Sequence, residues 1–279
     1  MLILSAQDVS CFGQCSMTVA LPILSALGHE TPILPTAVLS THTGGFKGFT
    51  FRDLKEDLPS IIAHWKKEGI RFDMVYTGYL GHIQDVDAVL EIASSLNNGP
   101  LIVDPAFGDH GRLYGGFDDA YVEGMKGLAS KADILLPNLT EACALLRIPY
   151  VEKPSEEEIE RILDGLLALG PKAVILKGIG GKENETGFII KNRMGMQRYS
   201  HARYPRDSHG TGDIFASIFV GAYALGLPEF DAAKFAADFV YACLKNTGED
   251  PKHTYGVKFE PLLAAFALKV QQAAKERQK

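Results

Sequence analysis

At 279 residues with a formal net charge of -6, the chain is long enough to bury a sizeable core and has no basic excess to favour nucleic acid. Hydrophobic residues at 46% against 22% charged argue against a disordered chain and against a membrane-spanning one. Cys11, Cys15, Cys143 and Cys243 have neither zinc-site nor disulfide-framework spacing and no signal-peptide pattern precedes them, which points to the reducing cytoplasm. Cys11 and Cys15 would be close on one helical turn and read as small buried hydrophobes rather than a redox pair.

Met1–Ala6 is an apolar run suited to a strand buried on both faces, and the polar turn Gln7-Asp8-Val9-Ser10 follows. Val19, Ala20, Ile23, Leu24 and Leu27 then recur at helical spacing up to Gly28. This βα unit puts Asp8 at the edge where parallel sheets bind ligands, with a plain Asx turn as the alternative. A second β segment, Thr31 to Leu39, runs into Ser40–Phe49, whose hydroxyls, glycines and aromatics suit a flap over a flat ligand or an ordinary glycine-rich hairpin. Asp53 is placed to cap a helix through Ile61, Ile62 and Trp65, and the strand Phe72–Tyr76 exits through Thr77-Gly78-Tyr79-Leu80-Gly81.

Asp85 starts a helix marked by Val86, Val89, Leu90 and Ala93. Pro100–Val103 then leads to Asp104-Pro105-Ala106-Phe107-Gly108-Asp109, whose two acids suggest a cation site or a common acidic turn. His110 to Phe117 reads as a flexible, glycine-containing loop able to shield a site. The strand Ala132–Leu136 closes on Pro137-Asn138-Leu139-Thr140-Glu141. There Asn138 and Glu141 share one face of a helical first turn and could hold hydrated magnesium, or could form a capping box. A capping box at Ser155–Glu158 begins an amphipathic helix with Ile159, Ile162, Leu163, Leu166 and Leu167.

Lys172–Leu176 is a further strand, followed by Lys177-Gly178-Ile179-Gly180-Gly181-Lys182, where Lys177 could reach a polyphosphate or simply be solvated. Glu185–Lys191 and Met194–Tyr204 alternate as an antiparallel hairpin. Ser208-His209-Gly210-Thr211-Gly212-Asp213 opens an apolar helix reaching Leu225, whose first amides attract an anion while Asp213 is placed to take a proton from an alcohol. The competing reading is a glycine turn with a helix-stabilising acid. Beyond Gly226, Ala232, Phe235, Ala236, Phe239, Val240 and Cys243 mark a helix over Asp231–Leu244. A last helix covers Pro261–Ala274, and Lys275–Lys279 is a polar tail. With no repeat or long linker, one domain over 1–279 is expected, and the alternation of strands and helices predicts a mainly parallel sheet whose site groups lie at strand C-terminal ends.

Taken together and in order, Asp104-Pro105, Asn138-Leu139-Thr140-Glu141 and Gly210-Thr211-Gly212-Asp213 resemble the ribokinase-like superfamily. Within it, Ser5–Ser10, Ser40-Thr41-His42-Thr43-Gly44 and Thr77–Gly81 look like pyridoxal or pyridoxamine kinases, and the resemblance covers nearly the full chain. It implies an α/β fold, ribokinase-like, with a central mainly parallel sheet flanked by helices on both faces and an edge hairpin. The implied reaction is ATP-dependent phosphorylation of the 5′-hydroxymethyl group of a B6 vitamer: pyridoxal, pyridoxamine or pyridoxine.

By this resemblance Asp213 is the base, and the amides of Gly210, Thr211 and Gly212 form the anion hole. Thr43 and Tyr79 contact the ring beside Asp8, while Asp104, Asn138 and Glu141 organise Mg2+ and the phosphates, and Lys177 lies on the ATP side. A cytoplasmic homodimer without nucleic-acid or membrane partners is implied, and a monovalent cation stays open. One departure is Asp8, where many pyridoxal kinases carry serine. Related hydroxymethylpyrimidine kinases accommodate an acid in this region, so such a kinase is the alternative. A non-catalytic nucleotide or vitamer binder is a further one, against which Asp213 counts.

Overall fold

A computed structural model describes residues 1–182, 184–206, 208–248, 250 and 252–277. The chain begins β1 (Ile3–Ser10), α1 (Met17–Ala26), β2 (Ile33–Leu39), β3 (Phe51–Asp53), α2 (Leu58–Lys67), β4 (Met74–Thr77) and α3 (Ile83–Ser95). It continues with β5 (Leu101–Val103), β6 (Gly108–Asp109), β7 (Arg112–Leu113), α4 (Asp119–Ala129), β8 (Ile134–Leu135), α5 (Leu139–Leu146) and α6 (Glu156–Leu169). The last elements are β9 (Ala173–Lys177), β10 (Glu185–Asn192), β11 (Gly195–Ala202), α7 (Thr211–Ala224), α8 (Glu229–Thr247) and α9 (Glu260–Arg277). They gather into two compact units, one formed by 1–54 with 202–279 and the other by 55–201.

In the first unit β1 pairs parallel with β2, and β2 pairs antiparallel with β3. Met17, Val19, Ala20, Ile23 and Leu24 bury one face of α1 beneath the sheet, and Gly28 at φ 93 lets the chain leave that helix. Helix α7 packs closely on α1: a Cβ on Gly221 would lie 2.3 Å from Leu27 Cδ1, so a larger residue there would force the helices apart. Beside this contact the buried His29 sets Nε2 2.9 Å from the Gly221 carbonyl oxygen.

In the second unit the order is β4-β5-β8-β9-β10-β11, and the first four strands run parallel. Their sequences are almost wholly apolar because both faces are covered, and Val75, Ile102, Leu135 and Ile175 are fully buried. Each such side chain contributes about 1.5–3 kcal/mol of transfer free energy. Strand β10 reverses direction against β9 and, with β11, makes the expected edge hairpin. Five helices, α2 to α6, flank this sheet, and the Ser155–Glu158 capping box forms as expected, with Glu158 Oε2 accepting the Ser155 amide at 2.7 Å. The α/β class read from the sequence therefore holds.

Several boundaries differ from expectation. Gln7–Ser10 is not a turn: β1 runs on through Ser10, across a register shift between Gln7 and Val9, because pairing with β2 satisfies its backbone. Asp53 ends β3 and caps no helix, whereas α2 begins after Asp57. Asp85 is the third residue of α3 and closes its capping box, whose cap is His82. Within His110–Phe117 the chain forms part of a small β6–β7 hairpin rather than an unstructured loop. Cys11 is exposed and Cys15 partly so, and neither lies on a helical turn, since α1 starts at Met17. Helix α9 absorbs the first residues of the polar tail up to Arg277, and Gln278 and Lys279 lie outside the described residues. Among the described residues, no helix is long and apolar enough to cross a membrane.

Candidate functional site

The first unit carries the glycine-rich turn. Gly210 is the N-cap of α7 at φ 78, a left-handed conformation that favours glycine. A Cβ there would also lie 1.9 Å from the Gln14 carbonyl oxygen. The helix begins with Ile214 N donating to Gly210 O at 3.0 Å, so the amides of Thr211 and Gly212 have no acceptor within the helix and present partial positive charge. Asp213 lies in that first turn, and its carbonyl accepts the Ser217 hydroxyl at 2.6 Å.

Asp8 is buried to 3% exposure and accepts the Ser10 hydroxyl at 2.8 Å and the Ser16 hydroxyl as well. Burial raises its pKa, and the two hydroxyls partly offset that. Ser16 precedes α1 at φ 52 without capping it, since its side chain serves Asp8 instead. Cys15 joins these groups. Burial raises the pKa of its thiol, and so do the charges of Asp213 and then Asp8, so the sulfur sits neutral in the field of both carboxylates.

Gln14 holds this segment. Its amide donates to Tyr255 O at 2.9 Å, its Nε2 donates to Glu260 Oε1 at 2.6 Å, and His253 Nε2 lies 3.1 Å from its Oε1. Thr43 is exposed within the loop joining β2 and β3, closed at its base by Ser40 N to Thr50 O at 3.1 Å. The same loop puts Phe46 edge-on to His42, with ring centroids 5.0 Å apart, and near Phe12 at 5.9 Å.

The second unit carries the other expected residues at the C-terminal ends of adjacent parallel strands. Thr77 ends β4, Asp104 follows β5, Asn138 follows β8 and Lys177 ends β9. Lys177 Nζ contacts Asp104 Oδ2 at 2.7 Å, with side-chain exposures of 12% and 4%. Asp104 Oδ1 is buried and makes no hydrogen bond among the described residues. Burial raises the pKa of the Asp104 carboxyl against the pull of the Lys177 ammonium.

Asn138 and Glu141 form the full capping box of α5: Glu141 N donates to Asn138 Oδ1 at 2.9 Å, and Asn138 N to Glu141 Oε2 at 2.8 Å. The same two side chains reach back to the turn after Asp104. Phe107 N donates to Glu141 Oε1 at 3.2 Å, and Asn138 Nδ2 to Gly108 O at 2.8 Å. Burial pushes the Glu141 carboxyl up to about 8 against the pull of Lys177, with the Asp104 charge adding to the rise. Tyr79 lies 5.4 Å from Phe117, which stacks on Tyr121 at 3.9 Å, and the Tyr121 hydroxyl donates to Leu80 O.

Among the described residues, no group of three or more His, Cys, Asp and Glu side chains is gathered for a metal ion. The buried, unpartnered Asp104 Oδ1 nevertheless fits magnesium, which is usually held by one or two carboxylates together with water and substrate phosphates. Sequence reasoning missed Gln14, Ser16 and His209 as site neighbours. Only the glycine-rich turn next to His209 hinted at one of them, and the other two depend on tertiary contacts.

A family model described as phosphomethylpyrimidine kinase matches residues 24–257. The chain is 26% identical over 295 residues to a pyridoxal kinase of Arabidopsis thaliana, covering 98% of this chain and 90% of that one. It is similar to a Bacteroides thetaiotaomicron protein provisionally assigned as a phosphomethylpyrimidine kinase and crystallised with pyridoxal: 34% identity, TM-score 0.90, 95% of each chain. The pyridoxal kinase of Lactobacillus plantarum is 31% identical with TM-score 0.89, over 97% of this chain and 98% of that one. The chain belongs to the phosphomethylpyrimidine kinase family, within the ribokinase-like superfamily, and is an ATP-dependent small-molecule kinase.

Proposed function

We propose that the chain transfers the γ-phosphoryl group of ATP to the 5′-hydroxymethyl group of a B6 vitamer. The observation that carries this reading is the α7 start, where Gly210 is held in a left-handed turn against Gln14 and Asp213 lies in the first helical turn. Asp213 takes the hydroxyl proton as the oxygen attacks the γ-phosphorus, and the bond from that phosphorus to the ADP oxygen breaks. The amides of Gly210, Thr211 and Gly212 bind the charge spread over the transferring group. Asp8 meets the ring, with Thr43 and Tyr79 as further ring contacts.

Lys177 and Asp104 serve the nucleotide's phosphates. Asp104 would hold magnesium, which when bound supplies positive charge against the phosphates. Asn138 and Glu141 act by fixing the turn after Asp104 through their bonds to Phe107 and Gly108. A hydroxymethylpyrimidine kinase is the second reading. The family match and the buried acid at Asp8 favour it.

The test is ADP release measured with pyridoxal, pyridoxine, pyridoxamine and hydroxymethylpyrimidine in parallel. A higher kcat/KM for a vitamer supports the first reading, and a higher value for hydroxymethylpyrimidine replaces it with the second. ATP binding without ADP release for all four overturns both in favour of a non-catalytic binder.

A further inference from the structure

We propose that His209 is a positioning residue whose imidazole ties the loop 40–50 to the turn carrying Gly210 and Asp213. The proposal rests on the reading above that this turn receives the transferred phosphoryl group. A Cβ on Gly44 would fall 2.4 Å from His209 Cε1, 2.5 Å from Nδ1 and 3.0 Å from Cγ. Gly44 is not in the left-handed region, so its backbone conformation is open to other residues and the imbalance is purely steric: the ring leaves no room for a side chain. The next glycine, Gly45, would set a Cβ 3.7 Å from His209 Nε2, so the imidazole covers the backbone of both.

A second imidazole makes a contact of the same kind. His42, in the same loop, accepts the Gly44 amide on Nδ1 at 3.1 Å, and its ring lies 5.1 Å from that of His209. A Cβ on Gly13 would meet His42 Cδ2 at 2.0 Å, so His42 rests on Gly13 as His209 rests on Gly44. Gly13 is two residues from Cys15 and three from Ser16, which serves Asp8. The loop bearing Thr43 is thus fixed at two imidazole-on-glycine contacts, one next to the phosphoryl-binding turn and one next to the Asp8 segment. His209 is itself exposed, so its ring adds little to the core, and its close partner is the loop backbone. A displaced His209 therefore frees the loop without unfolding the unit, and seating the loop sets the turn through the adjoining Gly210.

The experiment compares wild type, His209→Ala, His209→Phe, Gly44→Ala and the double variant Gly44→Ala/His209→Ala. Lys47 is an exposed trypsin site within the loop, so the rate of cleavage after Lys47, followed by mass spectrometry without substrates, reads loop seating directly. KM for pyridoxal, KM for ATP and kcat are measured alongside. Cleavage after Lys47 and KM for pyridoxal are each expected to rise about tenfold in His209→Ala, the scale of one lost ordering contact, with KM for ATP and Tm little changed. His209→Phe, which keeps a flat ring over Gly44, retains most of the protection. Gly44→Ala matches or exceeds His209→Ala, and the double variant is no worse than His209→Ala alone, since the added methyl group then has the vacated space.

Multiplying effects in the double variant, or a His209→Ala protein with wild-type cleavage and KM for pyridoxal, overturns the proposal. Proteolysis needs no turnover. If Lys47 protection responds as expected but pyridoxal is not phosphorylated, the loop contact stands and the B6-vitamer reading of the turn fails. If pyridoxal is phosphorylated but neither cleavage nor KM responds, the contact fails and the kinase reading stands.

Discussion

Gly210→Ala tests the glycine turn most directly. The left-handed conformation at φ 78 costs a side-chain-bearing residue about 1–2 kcal/mol. Its Cβ would also lie 1.9 Å from the Gln14 carbonyl oxygen, and this backbone atom can yield only if the Gln14 segment moves. Overpacking of this kind adds about 1–3 kcal/mol. The combined loss of about 2–5 kcal/mol corresponds to a fall in Tm of about 4–10 °C at this chain length. Moving the Thr211 and Gly212 amides by about 1 Å should lower kcat about 100-fold.

Gly28→Ala separates the two contributions. Gly28 lies at φ 93 in the same unit, and its Cβ would meet Gln271 Nε2 at an ordinary 3.5 Å. Gly28→Ala therefore carries the backbone cost with little steric cost. Thermal unfolding and steady-state kinetics of both variants provide the assay. Equal Tm losses for the two, with an unchanged kcat for Gly210→Ala, would refute the reasoning.

Asp213→Asn is expected to keep KM for ATP near its wild-type value while kcat falls about 100- to 10,000-fold, the range for removing a general base. A kcat within a few-fold of wild type would remove Asp213 from that role. Lys177→Met leaves the Asp104 carboxylate buried without its cation and should lower stability in urea unfolding by about 3–5 kcal/mol. Lys177→Met/Asp104→Leu should recover most of that stability but not the activity, and additive losses would show that the pair is not coupled. His29 gives a pH test. Burial holds the folded imidazole below its ordinary value, while the bond to Gly221 opposes this, so the unfolded chain takes up a proton first as pH falls. Its contribution is complete above about pH 6.5 and is lost progressively below it. Tm scans from pH 8 to pH 5 should slope less for His29→Gln than for wild type, and identical slopes would exclude His29 from the effect.

Strands and helices were legible where hydrophobic pattern decided them: β4, β5, β8 and β9 are short apolar runs, and α6 opens on its predicted capping box. The end of β1 was not, because Ser5, Gln7, Asp8 and Ser10 are polar and yet buried, and polar residues after an apolar run read as a turn. Asn138 and Glu141 posed a different problem. The sequence offered magnesium binding and capping as alternatives, and the capping box that forms has side chains that also hold the Asp104 turn. For Cys15 the expectation of a small buried hydrophobe rather than a redox partner agrees with its neutral thiol, but nothing in its sequence neighbours points to the charges of Asp213 and Asp8 beside it. His209 and Gly44 lie 165 positions apart, and no local spacing links them.

The unit bearing Asp213 is made from both ends of the chain, 1–54 and 202–279, whereas the unit bearing Asp104 is the continuous stretch 55–201. During synthesis, β1 and α1 leave the ribosome long before α7, whose Gly221 packs on Leu27, and before Glu260, which receives Gln14. The continuous unit has no such wait, so it is the part free to fold first. The unit bearing Asp213 is completed only after 202–279 has emerged, and until then the surface of α1 and Leu27 that α7 covers stays exposed.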